Sequence, residues 1–275
     1  MTSLVKPDRK RTEFVTEVSM INFARIFPGQ AVESEKKAGS RYYKCEIYMP
    51  AINQQMYDAF CYVASLYESS NWQAHANAQF KTLEQMCQFV PGYPPPKRKY
   101  ELYPYAKGQY VMNFSKAVSL KMLKMEGADL TNPVIRADFD RKVNEAAPKV
   151  SRYANLNDPA DIAKLDQMSQ NQMLRGGAAI PREAYGSIML PVSSSELWNG
   201  CKVRVQGRVY WDSVVHKTCL PALEQIMLVS QGERITSAYD VAPEEAFGQF
   251  APAADLAPQP LQQPGLIIDP YAGLF

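Results

Sequence analysis

Residues 201–211 read CKVRVQGRVYW, and their strict alternation limits the fold more than any other stretch of the chain. A period of two is the period of a β-strand whose faces meet different surroundings. Cys201, Val203, Val205, Gly207, Val209 and Trp211 share one face, which suits a packed interior. Lys202, Arg204, Gln206, Arg208 and Tyr210 share the other, which suits water or a polar ligand. A strand of this kind belongs to an antiparallel sheet with one wet side. Gly207 on the apolar face marks a bulge or a tight bend.

Other segments fall in with a mainly β chain carrying added helices. Residues 14–27 (FVTEVSMINFARIF) read as a strand closed by Pro28 and Gly29. After a charged turn over 33–40, residues 42–49 alternate, with Tyr43, Cys45, Ile47 and Met49 opposite Tyr42, Lys44, Glu46 and Tyr48. Ile52, Met56, Phe60, Val63 and Tyr67 then recur at helical spacing, and Trp72, Ala76, Phe80, Leu83 and Cys87 continue the pattern. Residues 91–108 hold five prolines and four tyrosines and read as a surface loop. Strand character returns over 109–120 and 223–229, and a helix over 160–174 is announced by Asp158-Pro159, a cap followed by a first-turn proline. The expected domain spans 14–235, with 121–195 as a long insertion and 1–13 as a flexible basic arm.

Charge is distributed unevenly. The whole chain carries a net charge of +2, but residues 235–275 hold five acidic residues and no Lys or Arg, so residues 1–234 stand at +7. A basic body favours an anionic partner. The end of the chain, 236–275, is Pro-rich and acidic and reads as disordered. Five cysteines without a Cys-x-x-Cys pair fit buried thiols in a reducing compartment better than a disulfide framework. The expectation is a chain without secretory leader or membrane span.

The wet face of 202–210 extends over roughly 27 Å at about 3.4 Å per residue. Cations with an interleaved ring meet the needs of single-stranded nucleic acid, since cations neutralise phosphates and a flat ring stacks on any base. Tyr42, Lys44 and Tyr48 on a second strand, and Tyr110, Phe114 and Lys116 on a third, are further candidate contacts. The competing reading is a solubilising strand face with structural aromatics. Catalytic signatures are thin. His75 and His216 do not make a metal site, Asp138 and Asp140 read as solvated carboxylates, and phosphate-binding or nucleophile motifs are absent from the sequence. The expectation is therefore a non-enzyme that uses neither cofactor nor metal.

Three stretches in order resemble bacteriophage single-stranded DNA-binding proteins of the Enc34 type, which are distantly related in fold to the T7-type phage protein. They are VSMINFARIFPG (18–29) with YYKCEIYMP (42–50), then KGQYVMNFSKAVSL (107–120), then ELWNGCKVRVQGRVYW (196–211) with LEQIMLVSQGERI (223–235). The resemblance implies an OB-fold β-barrel that coats unpaired DNA during phage replication, recombination or repair in the cytoplasm of the infected bacterium. It places Lys202, Arg204, Arg208 and Tyr210 on or beside the DNA groove. It also implies that the tail, with Asp269 and the terminal Phe275, recruits replication proteins such as a polymerase, helicase, primase or recombinase, and it leaves room for a homo-oligomer. The alternative is a phage structural or assembly protein that does not bind nucleic acid. Two features depart from the resemblance: the length of 121–195, and the sequence HKTCLP (216–221) where a Gly-rich approach to the late strand is usual.

Overall fold

A computed structural model describes residues 7–35, 39–66, 105, 108–212 and 218–235. Nine strands form one mixed sheet: β1 (Glu13–Val15), β2 (Ser19–Arg25), β3 (Val32–Glu33), β4 (Ser40–Met49), β5 (Tyr110–Ser119), β6 (Lys149–Tyr153), β7 (Met189–Pro191), β8 (Lys202–Asp212) and β9 (Thr218–Ser230). The order is β1-β8-β2-β4-β5-β9-β6-β7, with β3 on β4 and a long antiparallel ladder between β8 and β9. Among the described residues, four α-helices accompany it: α1 (Arg9–Thr12), α2 (Gln54–Leu66), α3 (Pro133–Glu145) and α4 (Pro159–Leu174).

The expectation of an OB-fold β-barrel is corrected by this arrangement, a mixed sheet with helical insertions. A sealed barrel would need a firm ladder between β5 and β9, and these strands share one parallel pair, Ser115 with Ala222. The other edge of β9 is committed to β8. A few residues past Ala222, the edge facing β5 is taken by β6, where Lys149, Val150 and Ser151 pair with Gln225, Ile226 and Met227. The segment 121–195 thus occupies the backbone donors and acceptors that closure would use.

The apolar faces meet in one main core. Phe14 stacks against Phe60 of α2 and Phe114 of β5, with ring centroids 6.2 and 6.0 Å apart, and all three rings are buried. Each such ring contributes roughly 1.5–3 kcal/mol by leaving water. Met56, Phe60 and Val63 present the helical face predicted from their spacing. Gly207 lies directly beneath two of these rings: a Cβ there would stand 2.7 Å from Phe14 Cζ and 2.9 Å from Phe114 Cε1. The break between β1 and β2 is fixed by Thr16, whose N–H donates to the Val205 carbonyl at 2.9 Å while its hydroxyl accepts from the Val205 N–H at 3.0 Å. Residues 14–27 are therefore two strands and not one.

Within the insertion, α3 covers a second cluster of Tyr43, Val118, Phe139 and Val143, and the Tyr43 hydroxyl donates to the Val143 carbonyl at 2.8 Å. The helix predicted at 160–174 is α4, capped by Asp158 as its sequence requires. Its buried Leu165 packs with Tyr185 and Leu190. Residues 9–12, expected within the arm, form one helical turn and Thr12 is buried. The second half of the helical pattern (72–87), most of the 91–108 loop and the tail lie outside the described residues.

Candidate nucleic-acid interface

β8 shows the alternation read from its sequence. Val203, Val205 and Val209 are buried, while Lys202, Arg204, Gln206, Arg208 and Tyr210 are turned outward. Pairing extends this outward face across β9 and β6 in rows. Arg204 lies opposite Met227, which lies opposite Ser151; Gln206 lies opposite Gln225, which lies opposite Lys149. One row further along, Tyr153 is 54% exposed and paired with Met189 of β7. It stands two strand spacings from β8, roughly 10 Å. Arg204, Tyr153, Met227 and Val229 line a groove of about 590 Å³ running along this face. At the other end of β8, Tyr210 is 39% exposed.

The electrostatics of the face are mixed. Arg204 Nη1 lies 4.0 Å from Glu17 Oε2, a loose contact between two well-exposed groups. Arg208 is held more closely, with its Nε 3.2 Å from Glu224 Oε1. Among the described residues, no ion pair involves Lys202 or Lys149. Two cations of the face thus stand outside these ion pairs, Lys202 at the end where Tyr153 lies and Lys149 in the row of Gln206 and Gln225. Burial, followed by the nearby Asp212, raises the Tyr210 phenol above its ordinary value, so the ring remains a neutral hydroxyl donor at neutral pH.

The remaining candidates divide. Lys44 is exposed on β4, with its Nζ 5.7 Å from the centroid of the half-buried Tyr42 ring. Lys116 lines a notch of about 330 Å³ with Lys149, Gln206 and Gln225, and burial lowers its pKa despite the opposing pull of Glu224. Tyr110 is half-buried against the core. Tyr48 and Phe114 do not belong to the surface. Both are fully buried, Tyr48 beneath Tyr105 with its hydroxyl donating to Glu46 at 2.6 Å, and Phe114 against Phe14. A ring without an exposed face cannot stack on a base, so these two leave the candidate set. Asp269 and Phe275 lie outside the described residues, as do His75 and His216.

Tyr153, Lys149 and Met189 were missed by the sequence reading, because β6 and β7 lie in the insertion and are too short to alternate visibly. Tyr153 is held in place along its strand. Its neighbour Arg152 also borders the groove, and both terminal nitrogens of its guanidinium reach the fully buried Asp161 while Nε lies 3.3 Å from Glu196. The glycine entry to β8 is likewise structural: Gly200 adopts φ 107°, and a Cβ there would fall 2.0 Å from the Glu233 carbonyl oxygen. Among the described residues, no cluster of three or more His, Cys, Asp or Glu could hold a metal ion, and no helix is long and apolar enough to cross a membrane.

No protein-family model and no curated protein matches this sequence. Solved structures similar in fold include the single-stranded DNA-binding protein from bacteriophage Enc34, at 10% identity and TM-score 0.40, covering 88% of this chain and 97% of that chain. The same phage protein in complex with single-stranded DNA gives 11% identity and TM-score 0.42, over 84% of this chain and 97% of that one. Its C-terminal truncation gives 9% and 0.37, over 84% and 95%. At TM-scores this low the likeness is loose, and the function proposed below rests on the side chains just described.

Proposed function

We propose that this chain binds single-stranded DNA without regard to sequence, and that the outward face of β8, β9 and β6 is the binding surface. The observation that carries the proposal is the meeting of Arg204 and Tyr153 on one groove, with Lys202 in the adjacent row and Tyr210 at the far end of the strand. The cations are spaced to follow a phosphate backbone, and the two exposed rings offer stacking surfaces to which base identity is nearly indifferent. A shallow sheet face with rings standing on it suits unstacked bases better than a duplex, whose bases are hidden. The role is binding and protection, without catalysis. The phage setting, in replication, recombination or repair within the host cytoplasm, is supported by the sequence resemblance carried by 18–29 with 42–50, 107–120, and 196–211 with 223–235. Recruitment of replication proteins by the acidic tail belongs to the same proposal.

The test is a fluorescence-anisotropy titration of labelled oligo-dT of about 30 nucleotides, long enough to cover several stacking sites. It is run at low and moderate salt, with duplex DNA and RNA as competitors. Tight, salt-sensitive binding that duplex does not displace is expected. Absence of binding at low salt, by the full chain and by a chain ending at Ile235, would overturn the proposal and favour a structural or assembly protein.

A further inference from the structure

We infer that the notch where β5 and β6 diverge along β9 is a phosphate-binding site, in which Lys116, Lys149 and Arg9 close on one phosphate of the single-strand backbone. The inference rests on the single-strand reading above and names one contact within it. The notch arises from the fork in the sheet. β5 meets β9 at the pair of Ser115 with Ala222, and β6 takes over three residues later at the pair of Lys149 with Gln225. The residue after Ser115 is Lys116, so each branch of the fork brings one lysine. Both lysines line a hollow of about 330 Å³ together with Gln206, Gln225 and Arg9 of α1.

The two lysines are left over from the fold's own ion pairing. Each carboxylate that borders the notch already has a cation: Glu224 Oε1 lies 3.2 Å from Arg208 Nε, and Glu145 Oε1 lies 2.5 Å from Arg141 Nη1. Arg9 is held by Glu13, with Nε 2.6 Å from Oε1, and its side chain is 73% exposed. Among the described residues, neither Lys116 nor Lys149 enters an ion pair. Lys149 is exposed and stays solvated, whereas Lys116 is half-buried. Burial, the largest cause, lowers the Lys116 pKa, Glu224 opposes it from beyond ion-pair distance, and Lys149 adds to the lowering. A partly desolvated ammonium beside a second ammonium costs stability, and a methionine of similar reach would avoid that cost. An anion held by both would offset it.

The chemistry and the position both suit a backbone phosphate. Ammonium groups act on phosphate oxygens as point charges and need no planar match. Gln225 donates to the side-chain oxygen of Gln206, which leaves the Gln206 amide to donate beside them. The notch also lies on the path of the strand. Lys149, Gln225 and Gln206 form one row of the outward face, and Ser151, Met227 and Arg204 form the next, where the groove with Tyr153 begins. The rows are two residues apart, roughly 7 Å, within the span of one or two nucleotides. A phosphate held here would fix the strand between the ring of Tyr153 and the ring of Tyr210.

The experiment compares the full-length wild type with Lys149→Gln, Lys116→Met and the double variant. Each is titrated by anisotropy at several salt concentrations with oligo-dT bearing hydroxyl ends, so that only backbone phosphates are present, and each is melted. Either single change is expected to weaken binding about threefold to tenfold at low salt and to lower the salt slope by about 0.7, the share of one phosphate on a single strand. The double variant is expected to lose no more slope than either single one, because both lysines hold the same phosphate. Lys116→Met is expected to melt no lower than wild type, and a lower melting temperature would overturn its assignment to a ligand. Unchanged affinity and slope in Lys149→Gln and the double variant would overturn the notch and leave the β8 surface standing. A double variant that loses twice the slope would mean two separate phosphates and overturn the shared site. Absence of wild-type binding would overturn both readings.

Discussion

Arg208 and Glu224 face one another across the β8–β9 ladder, with Nε 3.2 Å from Oε1, and Glu224 is the extra residue that a bulge inserts into β9. The contact is an ion pair without a hydrogen bond, since Arg208 Nε is buried and has no hydrogen-bond partner. Glu224 therefore neutralises one cation of the outward face without anchoring it. Glu224→Gln is expected to tighten oligo-dT binding about threefold at low salt, the value of one partly exposed pair, and to steepen the salt dependence. Unchanged affinity would mean that Arg208 does not touch the DNA.

Tyr153→Ala is expected to weaken single-strand binding by about 1–3 kcal/mol, with the slope against salt preserved, because the ring contributes stacking and no charge. Arg204→Ala is expected to lower that slope by about 0.7, the share of one phosphate contact on a single strand. Titrations at several salt concentrations separate the two effects. The melting temperature should hardly move in Tyr153→Ala, since more than half of the ring is exposed.

Gly207→Ala is expected to destabilise the fold by about 1–3 kcal/mol. The added methyl would meet Phe14 at 2.7 Å and Phe114 at 2.9 Å, and both are rigid rings packed on every side. Denaturant unfolding checks this. A neutral result would show that β8 can shift away from the core.

Arg152 and Asp161 predict a response to acid. Hydrogen bonds from Arg152, the largest cause, hold the Asp161 carboxyl at about 2, with help from the Asn155 N–H and against the effect of burial. A lowered carboxyl pKa stabilises the fold above the ordinary value near 4, and that contribution is lost as pH falls toward 2. Melting temperature should therefore drop across this window. Asp161→Asn should remove that part of the drop and cost about 3 kcal/mol at neutral pH by leaving the guanidinium with Glu196 as its remaining carboxylate partner. Because Tyr153 is anchored through its neighbour, the same variant should also weaken DNA binding.

Local patterns in the sequence revealed what local physics decides. The faces of β8, the Asp158 cap of α4 and the helical stripe of Met56, Phe60 and Val63 all follow from spacing and side-chain chemistry. The fate of Tyr48 does not. Alternation separates the two sides of β4, but Tyr105, far along the chain, decides that both sides are covered at this point. Phe114 misleads for a related reason: it shares a face of β5 with the partly exposed Lys116 yet is itself fully buried, so that face changes from interior to surface along its length. The expected barrel failed on a competition for one strand edge, between Ser115 of β5 and residues 149–151 of the insertion. β6 is five residues long, and its pairing with β9 joins positions more than seventy residues apart, beyond the reach of any periodicity.

The division of β9 between two neighbours has a bearing on any attempt to trim the chain. Residues 121–195 look like an ornament that could be cut away to leave a smaller binder. Their removal would strip β6 from Gln225, Ile226 and Met227 and leave bare main-chain amides at a sheet margin. Such a margin recruits a strand from another copy, and clumping follows. By pairing with β9, β6 covers a strand edge that would otherwise lie bare, and a minimised version would have to put a charge or a proline in its place.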